Sequence, residues 1–146
     1  MLEKIINDKK QSLKLIKKDK SLDVLEKNIK DQDFYNFKKA IQKNKGVSII
    51  SEIKKASPSA GILIDNFNHL EVAKMYVENG ATCLSVLTEE KHFLGKLEYI
   101  QDIKKKFKIP ILAKDFFIDP YQIPLAKSFG SDCILIIIAA LNGGQA

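Results

Sequence analysis

The sequence predicts an α/β protein built on a parallel sheet, and three observations carry that prediction. After Gly46, short apolar runs alternate with amphipathic stretches of helical period. The runs are apolar almost throughout, as expected of strands covered on both faces. Asn79-Gly80 and Gly130 stand directly behind amphipathic stretches, where helices stop. The resulting order is βαβαβαβ, and right-handed crossovers of this length suit a barrel or an open doubly wound sheet.

Met1 to Lys45 reads as helical. Leu2, Ile5, Ile6, Leu13 and Ile16 keep rough 3.6-residue spacing, Leu22, Leu25 and Ile29 form a second stripe, and Phe34, Phe37, Ala40 and Ile41 a third. Asn44-Lys45-Gly46 ends this region. Residues 1–46 are therefore expected to be a helical extension packed on a main body, 47–146. In that body Val47 to Ile53 reads as the first strand, followed by a Ser/Pro/Gly loop to about Asn66 and a helix over His69 to Glu78. Ala81 to Thr88 is the second strand, Glu89 to Gly95 a loop, and Lys96 to Phe107 a helix. Pro110 to Lys114 is the third strand, Tyr121 to Phe129 a helix that tolerates Pro124 in its first turn, and Asp132 to Ile138 the fourth strand. No GxGxxG or P-loop pattern follows the first strand, which argues against a nucleotide site there.

Composition narrows the function classes. The 146 residues suit one domain, and 45% apolar with 29% charged residues reads as soluble and globular. No apolar run reaches the ~18 residues of a membrane span. The amphipathic, acid-bearing N-terminus is not a signal peptide, so a cytoplasmic location without a membrane partner is expected. The net charge of +6 lies in residues 1–47, where 13 Lys face 7 Asp and Glu; the remainder holds 11 of each. All 24 basic residues are Lys, and without Arg the bidentate base contacts of nucleic-acid readers are missing. No nucleic-acid partner is expected. Cys83 and Cys133 read as small buried hydrophobes, His69 and His92 as exposed polar residues, and no metal-ligand spacing is present.

In parallel α/β sheets, sites form beyond the carboxyl ends of the strands. There the first strand offers Glu52 and Lys54, the second Ser85 and Thr88, and the third Lys114, Asp115 and Phe116. Residues two apart on a strand point the same way, about 6.6 Å along its axis. Glu52 and Lys54 thus share a face, and Lys114 arrives by the same geometry with Phe116 above it. Lys55, on the opposite face, is expected to be solvated or paired with a helix. Two readings fit the Glu52, Lys54, Lys114 cluster: an ion-pair network closing the sheet end, or a site whose amines hold an anion and move protons. Phe93, Phe116 and Phe117 are either loop packing or an apolar wall for a flat ring.

SEIKKASPSAGI, ATCLSVLTEEKHFLG, IPILAKDFFIDPYQI and GSDCILIIIAAL resemble successive βα units of indole-3-glycerol-phosphate synthase, a tryptophan-pathway (β/α)8 TIM barrel. The N-terminal helical extension is similar too. The resemblance implies the first four or so βα units of that barrel. It implies ring closure with loss of carbon dioxide and water, converting 1-(2-carboxyphenylamino)-1-deoxyribulose 5-phosphate to indole-3-glycerol phosphate, with no cofactor or metal. By motif, Lys114 resembles the family's general acid, Lys54 the Lys that assists proton transfer, and Glu52 the Glu that orients these amines. Ser57 and Pro58 match the loop beside the anthranilate portion, and Phe93 and Phe116 the wall around its ring. Ala60 departs from the Lys the family often carries. A full barrel needs about 250 residues; the family's general-base Glu and main phosphate site fall on later strands. The expectation is therefore an N-terminal half, inactive alone, that self-associates or takes up a complementary C-terminal half-barrel. The alternatives are a non-catalytic half-barrel and another phosphate-binding barrel such as phosphoribosylanthranilate isomerase.

Overall fold

The computed structural model of the chain describes residues 1–141. Three helices come first: α1 (Leu2–Asp19), α2 (Leu22–Lys30) and α3 (Phe37–Lys43). Ser21 and Asn36 cap the second and third, their side-chain oxygens accepting from the N–H of Val24 and Lys39. Phe34 lies ahead of α3 rather than in it. The sheet follows, with β1 (Ile50–Ile53), β4 (Cys83–Leu87), β5 (Ile111–Lys114) and β6 (Cys133–Ile134) parallel and in that order. Between β1 and β4 the chain makes a small antiparallel ladder, β2 (Ala56–Ser57) with β3 (Gly61–Ile62), and then helix α4 (His69–Glu78). Helices α5 (Leu97–Lys106) and α6 (Gln122–Ser128) form the next two crossovers.

The pairing register sorts side chains onto two faces. Ile53, Val86 and Ala113 lie in one row, on the face that packs against α4 and α5 with Leu84, Ile100, Ile103 and Ile111. Each fully buried aliphatic there contributes roughly 1.5–3 kcal/mol. Glu52, Ser85, Leu112 and Cys133 form the neighbouring row on the opposite face. A second cluster, Leu13, Leu25, Ile118, Tyr121 and Leu125, glues α1 and α2 onto α6 and the segment before it. Asp132 fastens the same region: its wholly buried carboxylate takes the Lys104 ammonium at 2.9 and 3.0 Å and the N–H groups of Tyr35 and Ile111 at 2.6 and 2.7 Å.

All four strands are shorter than expected, the first and the fourth for reasons that the pairing shows. Val47 is 86% exposed and the first strand starts only at Ile50, because its partner begins at Cys83. Thr82 Oγ1 instead takes the Ile49 N–H. The fourth strand pairs only at Cys133 and Ile134, since β5 ends at Lys114, and the chain then turns into a 3-10 segment at Ile138–Ala140. The last five residues of the expected 47–146 unit fall outside the described residues. Gly130 has φ +98° behind α6, a conformation costly for any side chain. Among the described residues no helix is long and apolar enough to cross a membrane.

Candidate active site at the carboxyl ends of the strands

Glu52 stands between two amines contributed by different parts of the sheet. Its Oε1 is 2.9 Å from Lys54 Nζ, and its Oε2 accepts from Lys114 Nζ. Glu52 and Lys54 share a face because they are two apart at the end of β1, and Lys114 is the last residue of β5. Ser85 of β4 lies in the Glu52 row, between the two strands. The three charged side chains are 29%, 32% and 36% exposed, open enough for a ligand to reach and too exposed for the pairs to be counted as a large stabilising term. Burial pushes the Glu52 carboxyl up, but hydrogen bonds from Lys114 and then Lys54 outweigh it and hold Glu52 below its ordinary range. At neutral pH it is a carboxylate that orients both amines, and two ammonium groups against one carboxylate leave one formal positive charge for an anion. The Tyr76 hydroxyl donates to the Glu52 carbonyl at 3.0 Å, holding the strand from the helix side.

Phe93 and Phe116 stand together, their ring centroids 6.2 Å apart at 41°. Each is anchored through its backbone by a buried carboxylate. Glu89 accepts from the N–H groups of Lys91, His92 and Phe93 at 3.2, 2.7 and 3.0 Å. Asp115 accepts from the Phe116 N–H at 2.7 Å and from Thr88 Oγ1 at 2.8 Å, and it meets Lys9 of α1 at 2.8 Å. Neither carboxylate was assigned a role from sequence; an acid directly after a strand end, facing backbone donors of its own loop, was the available signal. The Glu89 loop also needs Gly95, where an added Cβ would sit 2.2 Å from the Leu87 carbonyl oxygen.

Ser57 and Pro58 are placed differently. Ser57 is in the short ladder, and its hydroxyl accepts from the Ala60 N–H at 3.2 Å and lies 3.4 Å from Ser59 Oγ. Pro58 is exposed. The described hydrogen bonds of this loop stay within it and do not reach Glu52 or the lysines. Lys55 is half-buried, and its carbonyl accepts from the Leu63 N–H.

The histidines are not exposed as expected. His69 is hydrogen-bonded to Asp102 at 2.9 Å and stacked on Tyr99 at 4.3 Å; His92 is paired with Asp8 of α1 at 2.9 Å. Those partners are distant in sequence. Cys83 and Cys133 are free thiols, the first buried and the second half-buried, and burial pushes the Cys133 thiol up to about 11. A cavity of about 120 Å³ lies beneath α1, lined by Lys9, Leu13, Thr88, Asp115, Phe117 and Leu125. It borders the aromatic pair's supports rather than the Glu52 pairings.

Comparison with known proteins bears on this arrangement. The family described as "Indole-3-glycerol phosphate synthase" matches residues 2–146. Relatives carrying that same name are 43% identical over 145 residues in Legionella pneumophila (strain Lens), 46% over 143 in Alkaliphilus metalliredigens and 45% over 147 in Aliarcobacter butzleri. Those alignments take in 99%, 97% and 97% of this chain but 56%, 55% and 56% of the relatives. The chain spans about half the length of the curated relatives it matches.

Proposed function

The chain belongs to the indole-3-glycerol phosphate synthase family, and from that premise we propose that its strand ends contribute the acid side of that family's ring-closing site. The substrate would be 1-(2-carboxyphenylamino)-1-deoxyribulose 5-phosphate. The observation that carries the reading is Glu52 bridging Lys54 and Lys114 at one sheet mouth.

In the proposed first step the ring carbon bearing the carboxylate attacks the ketone carbon. The carbon–carbon bond forms, the carbonyl π pair moves onto oxygen, and Lys114 gives that oxygen a proton. The carboxylate then leaves as carbon dioxide, returning its bonding pair to the ring. The new hydroxyl finally departs as water while a proton is lost, giving the indole. Lys54 holds the anionic substrate and assists the proton movements; Glu52 keeps both amines aimed. A proton donor already in place contributes about 10²–10⁴-fold to such a step. Phe93 and Phe116 would wall the aromatic ring, with Ser57 and Pro58 beside it once the loop closes over substrate. The base for dehydration and the main phosphate cradle are assigned to the other half of a complete barrel. A cytoplasmic setting suits this small-molecule sugar-phosphate chemistry, which asks for neither nucleic acid nor membrane.

The test joins this chain to the remaining half of a relative, such as the Alkaliphilus protein, and follows indole fluorescence on adding the substrate. Fluorescence should rise, and Lys114→Met should lower kcat at least about 10²-fold with the fold intact. Near-normal turnover in that variant would reject the acid role. A second reading, a half-barrel whose open face is covered by a complementary half or a second copy, is favoured by the exposure of Ile50, Ile136 and Ile138. A clean monomer by size-exclusion chromatography would count against it.

A further inference from the structure

Helix α1 reaches the strand ends through one side chain. Lys9 lies midway along it, and its ammonium meets Asp115 Oδ1 at 2.8 Å with only 11% and 8% of the two side chains exposed. The same carboxylate accepts from Thr88 Oγ1, at the end of β4, and from the Phe116 N–H. The residue before Asp115 is Lys114, whose carbonyl accepts from the Thr88 N–H at 3.0 Å. One carboxylate thus ties α1 to the ends of β4 and β5, on either side of the backbone that carries Lys114.

The other polar fastenings of α1 do not reach the backbone beside Lys114. Asp8 meets Lys91, 62% exposed, and the half-buried His92 of the loop after β4, and Lys17 meets Asp119 at 2.5 Å with the lysine 43% exposed. Adhesion itself comes from Leu13 and Ile16 in the cluster with Leu125 and Tyr121. A buried ion pair is a poor way to add adhesion, because desolvation offsets most of the attraction; apolar residues of similar size would hold the helix as well. What such a pair supplies is direction.

We propose that Lys9 and Asp115 are positioning residues: through them α1 sets where Lys114 and Phe116 stand, so the N-terminal helix is part of the site rather than a covering on it. The proposal rests on the acid role given to Lys114, but its test needs no turnover. The 146-residue chain is labelled with ¹³C at lysine Cε and ¹⁵N in the backbone. The Lys114 Cε signal is identified by its loss in Lys114→Arg, and the Phe116 amide is followed beside it. Lys9→Met, remote in sequence from both, should shift both signals, and Lys9→Arg should return them towards their original positions. In an Asp115→Asn background Lys9→Met should add no further shift. Lys17→Met, which breaks another Lys–Asp fastening of the same helix, should leave both signals in place. Unmoved signals in Lys9→Met, or equal shifts in Lys17→Met, would overturn the proposal, the second by showing that helix docking in general is what matters. If Lys9→Met fails to fold, Lys9→Gln carries the same two readings. Because this result comes from resonance positions and the acid role is judged by fluorescence turnover, either idea can fall while the other stands.

Discussion

At the scale of single residues, the loop before α5 concentrates constraint. Leu94 sits at φ +53°, a left-handed conformation that costs a bulky residue about 1 kcal/mol or more. Its side chain is among the exposed large hydrophobics, so little packing offsets that strain. Leu94→Asn should raise stability by roughly 0.5 kcal/mol, read as a higher midpoint in urea, because Asn tolerates this conformation. Its neighbour behaves oppositely. Gly95→Ala drives a Cβ into the Leu87 carbonyl, where the listener on the other side is backbone and cannot rotate away. A loss of about 3 kcal/mol or more is expected by the same measurement. Asp132→Ala should cost about 3–5 kcal/mol, since it strands the buried Lys104 ammonium and two backbone N–H groups. A loss under 1 kcal/mol would mean the ammonium finds water or another partner.

At the scale of elements, α1 is docked through pairs that acid weakens. Hydrogen bonds from Lys91 and then His92 hold Asp8 below its ordinary range, and one from Lys17 does the same for Asp119 against the opposing effect of burial. Carboxyls lowered in the fold add stability above their unfolded value, about 3.9, and lose it as pH falls through the lowered folded value. The docking of α1 should therefore weaken below about pH 4. Tyr121 reports on it, because its hydroxyl donates to the Lys20 carbonyl at the end of α1. Its fluorescence should change in that acid window ahead of the loss of helical circular dichroism; coincident changes would show that α1 and the sheet unfold together. Most element positions were legible in the sequence, since apolar period and the stops at Asn79-Gly80 and Gly130 depend on near neighbours. The ends of β1 and β6 were not, because a strand lasts only while its neighbour offers partners, and that is a property of a distant segment.

At the scale of the whole molecule, the same division runs through the site. Glu52, Lys54 and Lys114 were legible as convergent because strand alternation and parallel order suffice to place them. Ser57 and Pro58 match the motif in sequence, yet the contacts described for this loop stay inside it. The pairing of Asp115 with Lys9, and the burial of His92 against Asp8, 84 positions away, required the helical extension to be folded over the strand ends, whereas Glu89 meets only donors of its own loop. The sheet itself transmits position with little slack. Glu52, Ser85, Leu112 and Cys133 occupy one rank, and Ile53, Val86 and Ala113 the next, facing the other way. Deleting Ser51 would exchange those ranks within β1: a carboxylate would be driven among the oily side chains of α4 and α5, Lys54 would leave its face with it, and isoleucine would be offered to Lys114. A change of one residue in the length of that strand thus unmakes both its core face and its charged face, which replacement of a side chain does not.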